Sequence, residues 1–152
     1  ACIVPEKREE RTTEGGLDVA NGIKQLTPYV NMLNDAGIRV SLFIDPDFNQ
    51  IDAAAETGVP VIELHTGAFA DATMEREELE LKKIIDSAKY ASKKGLIVHA
   101  GHGLNYENVV PVAKINEIIE LNIGHSIISY ASIVGLKRAI HEMIKLIINA
   151  RG

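Results

Sequence analysis

Four of the five histidines come at or just after the end of a short apolar run. His65 ends VIELH, His99 and His102 belong to LIVHAGHG, and His125 follows ELNIG. Both forms of imidazole are populated near neutral pH, so histidine can donate or accept a proton, and it also binds metals. Each one alone could be a structural hydrogen-bonding residue, and we expect this of His141. The shared position of the other four predicts a functional site.

The spacing within this group bears on what the site could bind. Zinc takes three or four protein ligands, but the two histidines of HAGH lie on opposite sides of a bend rather than on one helical face. Gly101 and Gly103 flank His102 and free the backbone to approach a ligand. Gly124 and His125 precede a helix whose first N–H groups and dipole attract an anion. The spacing therefore favours phosphate over zinc as the ligand of this site.

Short apolar runs rich in β-branched residues alternate with helical patterns along the chain. Such runs are typical of parallel strands that are buried on both faces. We predict strands over residues 1–4, 38–44, 59–65, 96–100 and 118–123. We predict helices over residues 17–36, 47–58, 74–94 and 126–150. The pair Thr27-Pro28 is typical of a helix start and predicts that the first helix breaks or restarts there. In the last helix, we expect four residues to face the core: Leu136, Ile140, Met143 and Ile147.

Five βα units leave two architectures open. The chain would be the C-terminal part of a (β/α)₈ barrel, which needs eight units, or a complete five-stranded doubly wound parallel sheet. In both, residues 1–152 form one domain, and a ligand site lies beyond the carboxyl ends of the strands. Because the chain begins on a strand with no lead-in, we expect the truncated barrel.

Composition excludes several classes of function. The chain has 152 residues, 46% of them hydrophobic, and a net charge of −5, which favours a globular domain and argues against nucleic-acid binding. No apolar stretch approaches the length of a membrane span. The single cysteine, Cys2, fits a reducing, cytoplasmic setting. The first residues, ACIVPEK, lack the form of a signal peptide and predict the middle of a longer protein.

Five segments together resemble one known family: CIVPEKREERTTEGGLDV, VSLFIDPD, IELHTGAFAD, HAGHGLNYENV and ELNIGHSIIS. They are similar to the pyridoxine 5′-phosphate synthases, and the similarity runs from the first residue to INARG. This resemblance implies a (β/α)₈ barrel and a homo-octamer without a cofactor or a metal. It also implies condensation of 1-deoxy-D-xylulose 5-phosphate with 3-amino-2-oxopropyl phosphate, which releases phosphate and water.

The resemblance also assigns roles to residues. Thr12, the first threonine of TTEGG, matches a ligand of the deoxyxylulose phosphate, and His102 matches the proton donor. Gly103, Gly124 and His125 match residues that hold the amino-ketone phosphate. The polar, Gly-ended loop 5–16 could act as a lid that excludes water.

Two departures from the family qualify these roles. His99 stands where asparagine is common. The family's N-terminal strands, with an Asn-x-Asp-His motif, an arginine and two bases, have no counterpart here, so we expect the chain alone to be incomplete for catalysis. The residues themselves leave two alternatives, a non-catalytic sugar-phosphate-binding module and a metal-dependent hydrolase.

Overall fold

The computed structural model describes residues 1–5 and 15–152. Thr12 and most of the loop 5–16 therefore lie outside the described residues. The five strands are β1 (Cys2–Ile3), β2 (Ser41–Ile44), β3 (Val61–His65), β4 (Ile97–Gly101) and β5 (Ile118–Asn122). The helices are α1 (Val19–Asp35), α2 (Phe48–Glu56), α3 (Gly67–Ala70), α4 (Met74–Lys93), α5 (Val109–Ala113), α6 (His125–Val134) and α7 (Leu136–Arg151). None of these helices is long and apolar enough to cross a membrane.

The strands form one parallel sheet in the order β1-β2-β3-β4-β5. All five predicted strands are present, although most are shorter than the apolar runs that predicted them. A doubly wound sheet reverses its strand order at a switch point, whereas a barrel adds each strand beside the previous one. The sequential order is therefore that of part of a (β/α)₈ barrel, as predicted, and the doubly wound alternative is wrong.

The two faces of the sheet differ in chemistry. One face carries the apolar side chains that pack against the helices in the hydrophobic core: Leu42, Ile44, Ile62, Leu64, Val98 and Ala100. The alternate residues form the opposite face, which we call the inner face because it corresponds to the inside of a barrel. Pairing in register places polar residues side by side there, with Glu63 opposite His99 and His65 opposite Gly101. The helices thus cover an apolar face, while functional groups occupy the inner face.

A β-bulge in β5 alters which of its residues face inward. Val98 pairs with Ile118, but the next residue of β4, His99, pairs with Glu120, so Ile119 is an additional residue. A shift of one residue exchanges the two faces of a strand. Because of the bulge, Glu120 lies beside His99 on the inner face, and Asn122 lies beside Gly101.

Helix α1 continues through Thr27-Pro28, so the predicted break is wrong. The Thr27 hydroxyl donates a hydrogen bond to the Ile23 carbonyl one turn earlier, which is the behaviour of a threonine inside a helix rather than at its start. Pro28 is exposed, while Val19 and Val30 are fully buried on either side of it. Packing on both sides of Pro28 therefore keeps α1 as one helix, although proline cannot donate one of the helical hydrogen bonds.

The predicted C-terminal helix is in fact two helices. Gly135 has φ +86° and ψ 147°, a backbone conformation that no helix contains, and it separates α6 from α7. The break changes the direction of α7, and the buried residues of α7 are Ala139 and Met143. Leu136 and Ile140 are 51% and 39% exposed, and their predicted inward orientation is wrong. The short helices α3 and α5 were not predicted.

Candidate functional site

A strained turn at the end of β4 presents His102. Among the residues that the structure describes, His102 is the only non-glycine residue with a positive φ, at +81°. This region costs energy for any residue with a β-carbon. The fully buried Thr66 holds the turn, because its hydroxyl lies 2.7 Å from the Gly101 carbonyl oxygen and 2.5 Å from that of His102. Tertiary contacts therefore impose the conformation that aims this imidazole.

The glycines on either side of His102 are required by close contacts. A β-carbon on Gly101 would lie 2.4 Å from the Glu63 carboxylate, and one on Gly103 would lie 2.5 Å from the Ala70 side chain. Gly103 also has φ +75°. Glu63 and Ala70 thus leave no room for side chains at these two positions, while the approach of this backbone to a ligand stays a prediction.

A cavity of about 640 Å³ opens at the carboxyl ends of the strands. We call it the strand-end cavity. It is lined by all four of the described residues to which the sequence assigned roles: His102, Gly103, Gly124 and His125. Gly124 and His125 reach it from the start of α6, and the Ser126 hydroxyl ties that start to the Leu104 carbonyl oxygen after β4. The structure thus brings these residues together, although no contact tests their predicted roles.

Glu63 is a residue of this site that the sequence analysis missed. It lies on the inner face of β3, is only 8% exposed, and lines the strand-end cavity. Asn122 donates a hydrogen bond of 2.7 Å to its carboxylate. Burial raises the pKa of the Glu63 carboxyl, and the hydrogen bond from Asn122 opposes that rise. The available signal was an acidic residue inside the apolar run VIELH, two residues before His65.

His65 lies behind His102, at the end of β3. The centroids of the two imidazole rings are 4.9 Å apart, in an edge-to-face arrangement. The Nδ1 atom of His65 lies 3.0 Å from Oδ1 of Asp45. Burial lowers the pKa of His102, and the nearby His65 lowers it further, while Asp71 opposes both effects. An imidazolium with a lowered pKa gives up its proton more readily, as a proton donor must.

His99 does not join the other three histidines at the strand ends. It lines a cavity of about 290 Å³ with Arg39 and Glu120, nearer the beginning of the strands, and this cavity borders the strand-end cavity at Glu63 and Asn122. Its Nδ1 lies 3.3 Å from Glu120, and its Nε2 is buried without a partner in the structure. The expectation that His99 shares a rim with the others is wrong, because it lies two residues before the end of β4.

The described residues contain no group of three or more histidine, cysteine, aspartate or glutamate side chains that could hold a metal ion. His99 lies nearer the beginning of the strands than His65 and His102, so these three side chains do not meet around one point.

Comparison with known proteins places the chain in a family. Residues 1–149 match the family model described as "Pyridoxal phosphate biosynthesis protein PdxJ". The chain is 56% identical over 151 residues to a pyridoxine 5′-phosphate synthase of Pseudoalteromonas translucida, covering 99% of this chain and 62% of the relative. It is also 56% identical to that of Aliivibrio fischeri, with the same coverage. The synthase of a Sulfurihydrogenibium species is 55% identical over 149 residues, which are 98% of this chain and 61% of the relative. The chain thus spans about three fifths of the length of these relatives, and it belongs to the PdxJ family of pyridoxal phosphate biosynthesis proteins.

Proposed function

We propose that this chain is part of a pyridoxine 5′-phosphate synthase. The reaction is the condensation of 1-deoxy-D-xylulose 5-phosphate with 3-amino-2-oxopropyl phosphate, which yields pyridoxine 5′-phosphate, phosphate and water. The observation that carries the proposal is the strand-end cavity, because residues from the turn after β4 and from the start of α6 line it together. The names of the relatives, at 55–56% identity, support the same activity.

His102 is proposed as the proton donor of this reaction. Closing an aromatic ring from an amino ketone and a sugar phosphate requires proton transfer at successive steps, which imidazole performs well near neutral pH. The half-buried ring of His102 faces the strand-end cavity. Its lowered pKa favours transfer of the proton to a bound intermediate.

Gly103, Gly124 and His125 are proposed to hold the phosphate of the amino ketone. Gly124 has no side chain and His125 begins α6, so the first backbone N–H groups of this ten-residue helix are available to an anion. A β-carbon on Gly124 would meet no atom within 4 Å, which leaves room for a phosphate oxygen. Thr12, predicted to bind the deoxyxylulose phosphate, stays a prediction because it lies outside the described residues.

Glu63 is proposed as a second proton-transfer group. Its raised pKa keeps the carboxyl protonated at a higher pH than an exposed glutamate, and it borders the same cavity as His102. A protonated carboxyl can donate a hydrogen bond to an oxygen that gains negative charge. Asn122 fixes its orientation.

For the complete protein we propose a homo-octamer in the cytoplasm, acting on small phosphorylated substrates and requiring no cofactor. The family resemblance supports the octamer, and the net charge of −5 supports small molecules rather than nucleic acid as ligands. Residues 1–152 are proposed to act as one unit of a barrel whose remaining strands lie in the part of the relatives that this chain does not span.

A chimera tests the proposed activity. The N-terminal part of the Pseudoalteromonas translucida synthase that this chain does not match would be fused in front of Ala1. The folded chimera should form pyridoxine 5′-phosphate from the two substrates, and the matched chimera with His102→Asn should form far less. A folded chimera that binds both substrates without turnover would support the non-catalytic binding module instead. Turnover that depends on added zinc and stops with a chelator would favour the metal-dependent hydrolase.

A further inference from the structure

Asp45 and His65 form a pair beside the proposed proton donor. Asp45 follows the last residue of β2, and His65 is the last residue of β3. His65 is 7% exposed, and its Nδ1 lies 3.0 Å from Oδ1 of Asp45. The hydrogen bond from His65 lowers the pKa of Asp45, so this side chain carries a negative charge near neutral pH. A charged acceptor strengthens such a hydrogen bond and fixes the plane and tautomer of the imidazole.

The other nitrogen of His65 has no access to a ligand. Its Nε2 is buried and has no hydrogen-bond partner in the structure. A β-carbon on Gly67 would lie 2.6 Å from this nitrogen and 3.2 Å from Cδ2 of His102. Gly67 therefore forms a common wall for both rings and closes Nε2 off from the cavities. Since Nδ1 contacts Asp45 and Nε2 is covered, neither nitrogen of His65 is open to a ligand in this structure.

Three rings pack together at this point. The centroid of the Phe43 ring lies 5.1 Å from that of His65 and 6.4 Å from that of His102. With Gly67 on a further side, the ring of His102 has little freedom to rotate toward β3. The exposed part of His102 lines both the strand-end cavity and a cavity on the side of His65.

Asp45 also anchors the C-terminal end of the loop 5–16. The Gly16 N–H donates to the same Oδ1 atom at 3.0 Å. Gly16 lies so close to the end of β2 that a β-carbon there would be 2.1 Å from the Asp45 nitrogen. One carboxylate oxygen thus fixes both the ring of His65 and the C-terminal end of that loop.

We propose that His65, oriented by Asp45, is a positioning residue that holds the imidazole of His102 in its working orientation. Its effect on turnover rests on the proposed function, whereas its effect on the ring of His102 does not. Other charged groups near these rings are Asp71, on the short loop after α3, and Asp47, Glu80 and Lys83, which line the cavity beside His65. None of these makes the hydrogen bond to His65 that Asp45 makes.

Histidine NMR on the present chain tests the positioning directly. In the unmodified chain, we expect nuclear Overhauser contacts between the rings of His102 and Phe43. His65→Asn removes the ring behind His102, so these contacts should weaken and the pKa of His102 should rise toward its ordinary value. Asp45→Asn should change both in the same direction but less, which keeps the test available if His65→Asn fails to fold.

Asp47→Asn is the matched control. Asp47 is an exposed aspartate two residues from Asp45, and it caps α2 through Asn49 and Gln50. Asparagine caps a helix about as well as aspartate, so this variant should leave both readouts unchanged. Unchanged contacts and an unchanged titration of His102 in His65→Asn would overturn the proposal.

A double-mutant cycle in the chimera tests the consequence for turnover. His65→Asn should lower kcat about tenfold or more with little change in KM, and it should cause no further loss when His102→Asn is already present. An equal loss in both backgrounds would mean that His65 acts independently of His102, which would overturn the proposal. If the chimera forms no product at all, the proposed function fails, but the NMR experiment still decides the positioning role.

Discussion

The hydroxyl of Thr66 hydrogen-bonds to the backbone carbonyl oxygen of His102. This contact joins the residue after β3 to the turn after β4, and it is made by a side chain that is fully buried. The turn is strained because His102 has φ +81°. A contact that persists against such strain is one that the surrounding structure enforces.

Thr66→Val should loosen this turn. Valine has nearly the same shape but lacks the hydroxyl, so the His102 carbonyl oxygen loses this donor, while the Gly101 carbonyl oxygen keeps the Thr66 N–H. We expect a cost of about 1–3 kcal/mol in the free energy of unfolding. Thr57→Val is the control, because Thr57 is also buried and donates only to Ala54, in α2. Urea unfolding should show a lower free energy of unfolding in both variants. Only Thr66→Val should shift the NMR signals of His102, and equal shifts in the two variants would contradict the clamp.

His102, rather than His99, is expected to carry the chemistry. In the chimera, His102→Asn should keep the fold and reduce kcat by about 10²–10⁴-fold, the usual contribution of one positioned acid or base. Asparagine also tolerates a positive φ, so the turn should persist. His99→Asn should cost much less, because His99 lines a different cavity. Steady-state assays of both variants decide, and a larger loss in His99→Asn would reverse the assignment.

The raised pKa of Glu63 predicts how stability depends on pH. Burial raises this pKa above its ordinary value of 4.5, so the folded chain binds more protons than the unfolded chain between the two values. The contribution of Glu63 to stability is therefore present below 4.5 and is lost as the pH rises through the folded value. Glu63→Gln avoids the charge, so its stability relative to the unmodified chain should increase from about pH 4 to about pH 8 in urea unfolding.

Asp45→Asn provides the comparison of opposite sign. The hydrogen bond from His65 lowers the pKa of Asp45 below 3.8, so its contribution is present above that value and is lost as the pH falls. The unmodified chain should therefore gain stability over Asp45→Asn as the pH rises from about 2 to about 5. The same sign of change in both variants would contradict the assigned burial and hydrogen bonding.

The start of α6 is expected to bind phosphate. Inorganic phosphate should raise the melting temperature of the chain, because a ligand that binds only the folded state stabilises it. Gly124→Val should abolish this rise by filling the open space at the helix start. Ser129→Val, which adds bulk to an exposed position later in the same helix, should preserve it. If phosphate still raised the melting temperature of Gly124→Val, phosphate would not bind at the start of α6.

The open edges of the sheet should make the isolated chain associate. Strands β1 and β5 each lack a neighbour on one side in the described structure, and unpaired edges pair readily with other chains. Apolar residues near β5 are exposed, with Ile119 at 63% and Ile133 at 82%. Light scattering should detect oligomers that decrease in Ile119→Lys. A monodisperse monomer would contradict this prediction.

The sequence predicted the strands well because their signal is local. Apolar β-branched runs marked all five, and the rule that parallel strands carry sites at their carboxyl ends located His102 and His125. Features that depend on tertiary contacts were missed. The break at Gly135 looks like any glycine in a helical pattern, and Thr27-Pro28 looks like a helix start until the buried residues on both sides of it are seen.

The candidate site also depends on tertiary contacts that the sequence does not show. The one local signal of Glu63 was its position inside the apolar run VIELH, and only the register with β4 places its carboxylate beneath Gly101. The contact between His65 and Asp45 joins residues twenty positions apart, and neither residue type reveals its partner. His99 was expected on the same rim as His102 because the exact end of β4, which determines which of them reaches the strand-end cavity, depends on the pairing of the strands.

The bulge in β5 contains one residue without a pairing partner, so the length of this strand can vary there. Ile119 has no counterpart on β4, and the pairing resumes with Glu120 beside His99. A chain from which Ile119 was deleted would keep every later residue of β5 opposite the same neighbour. The strand can therefore shorten at this position while Asn122 continues to hold the carboxylate of Glu63, and relatives that differ in length are expected to gain or lose a residue here.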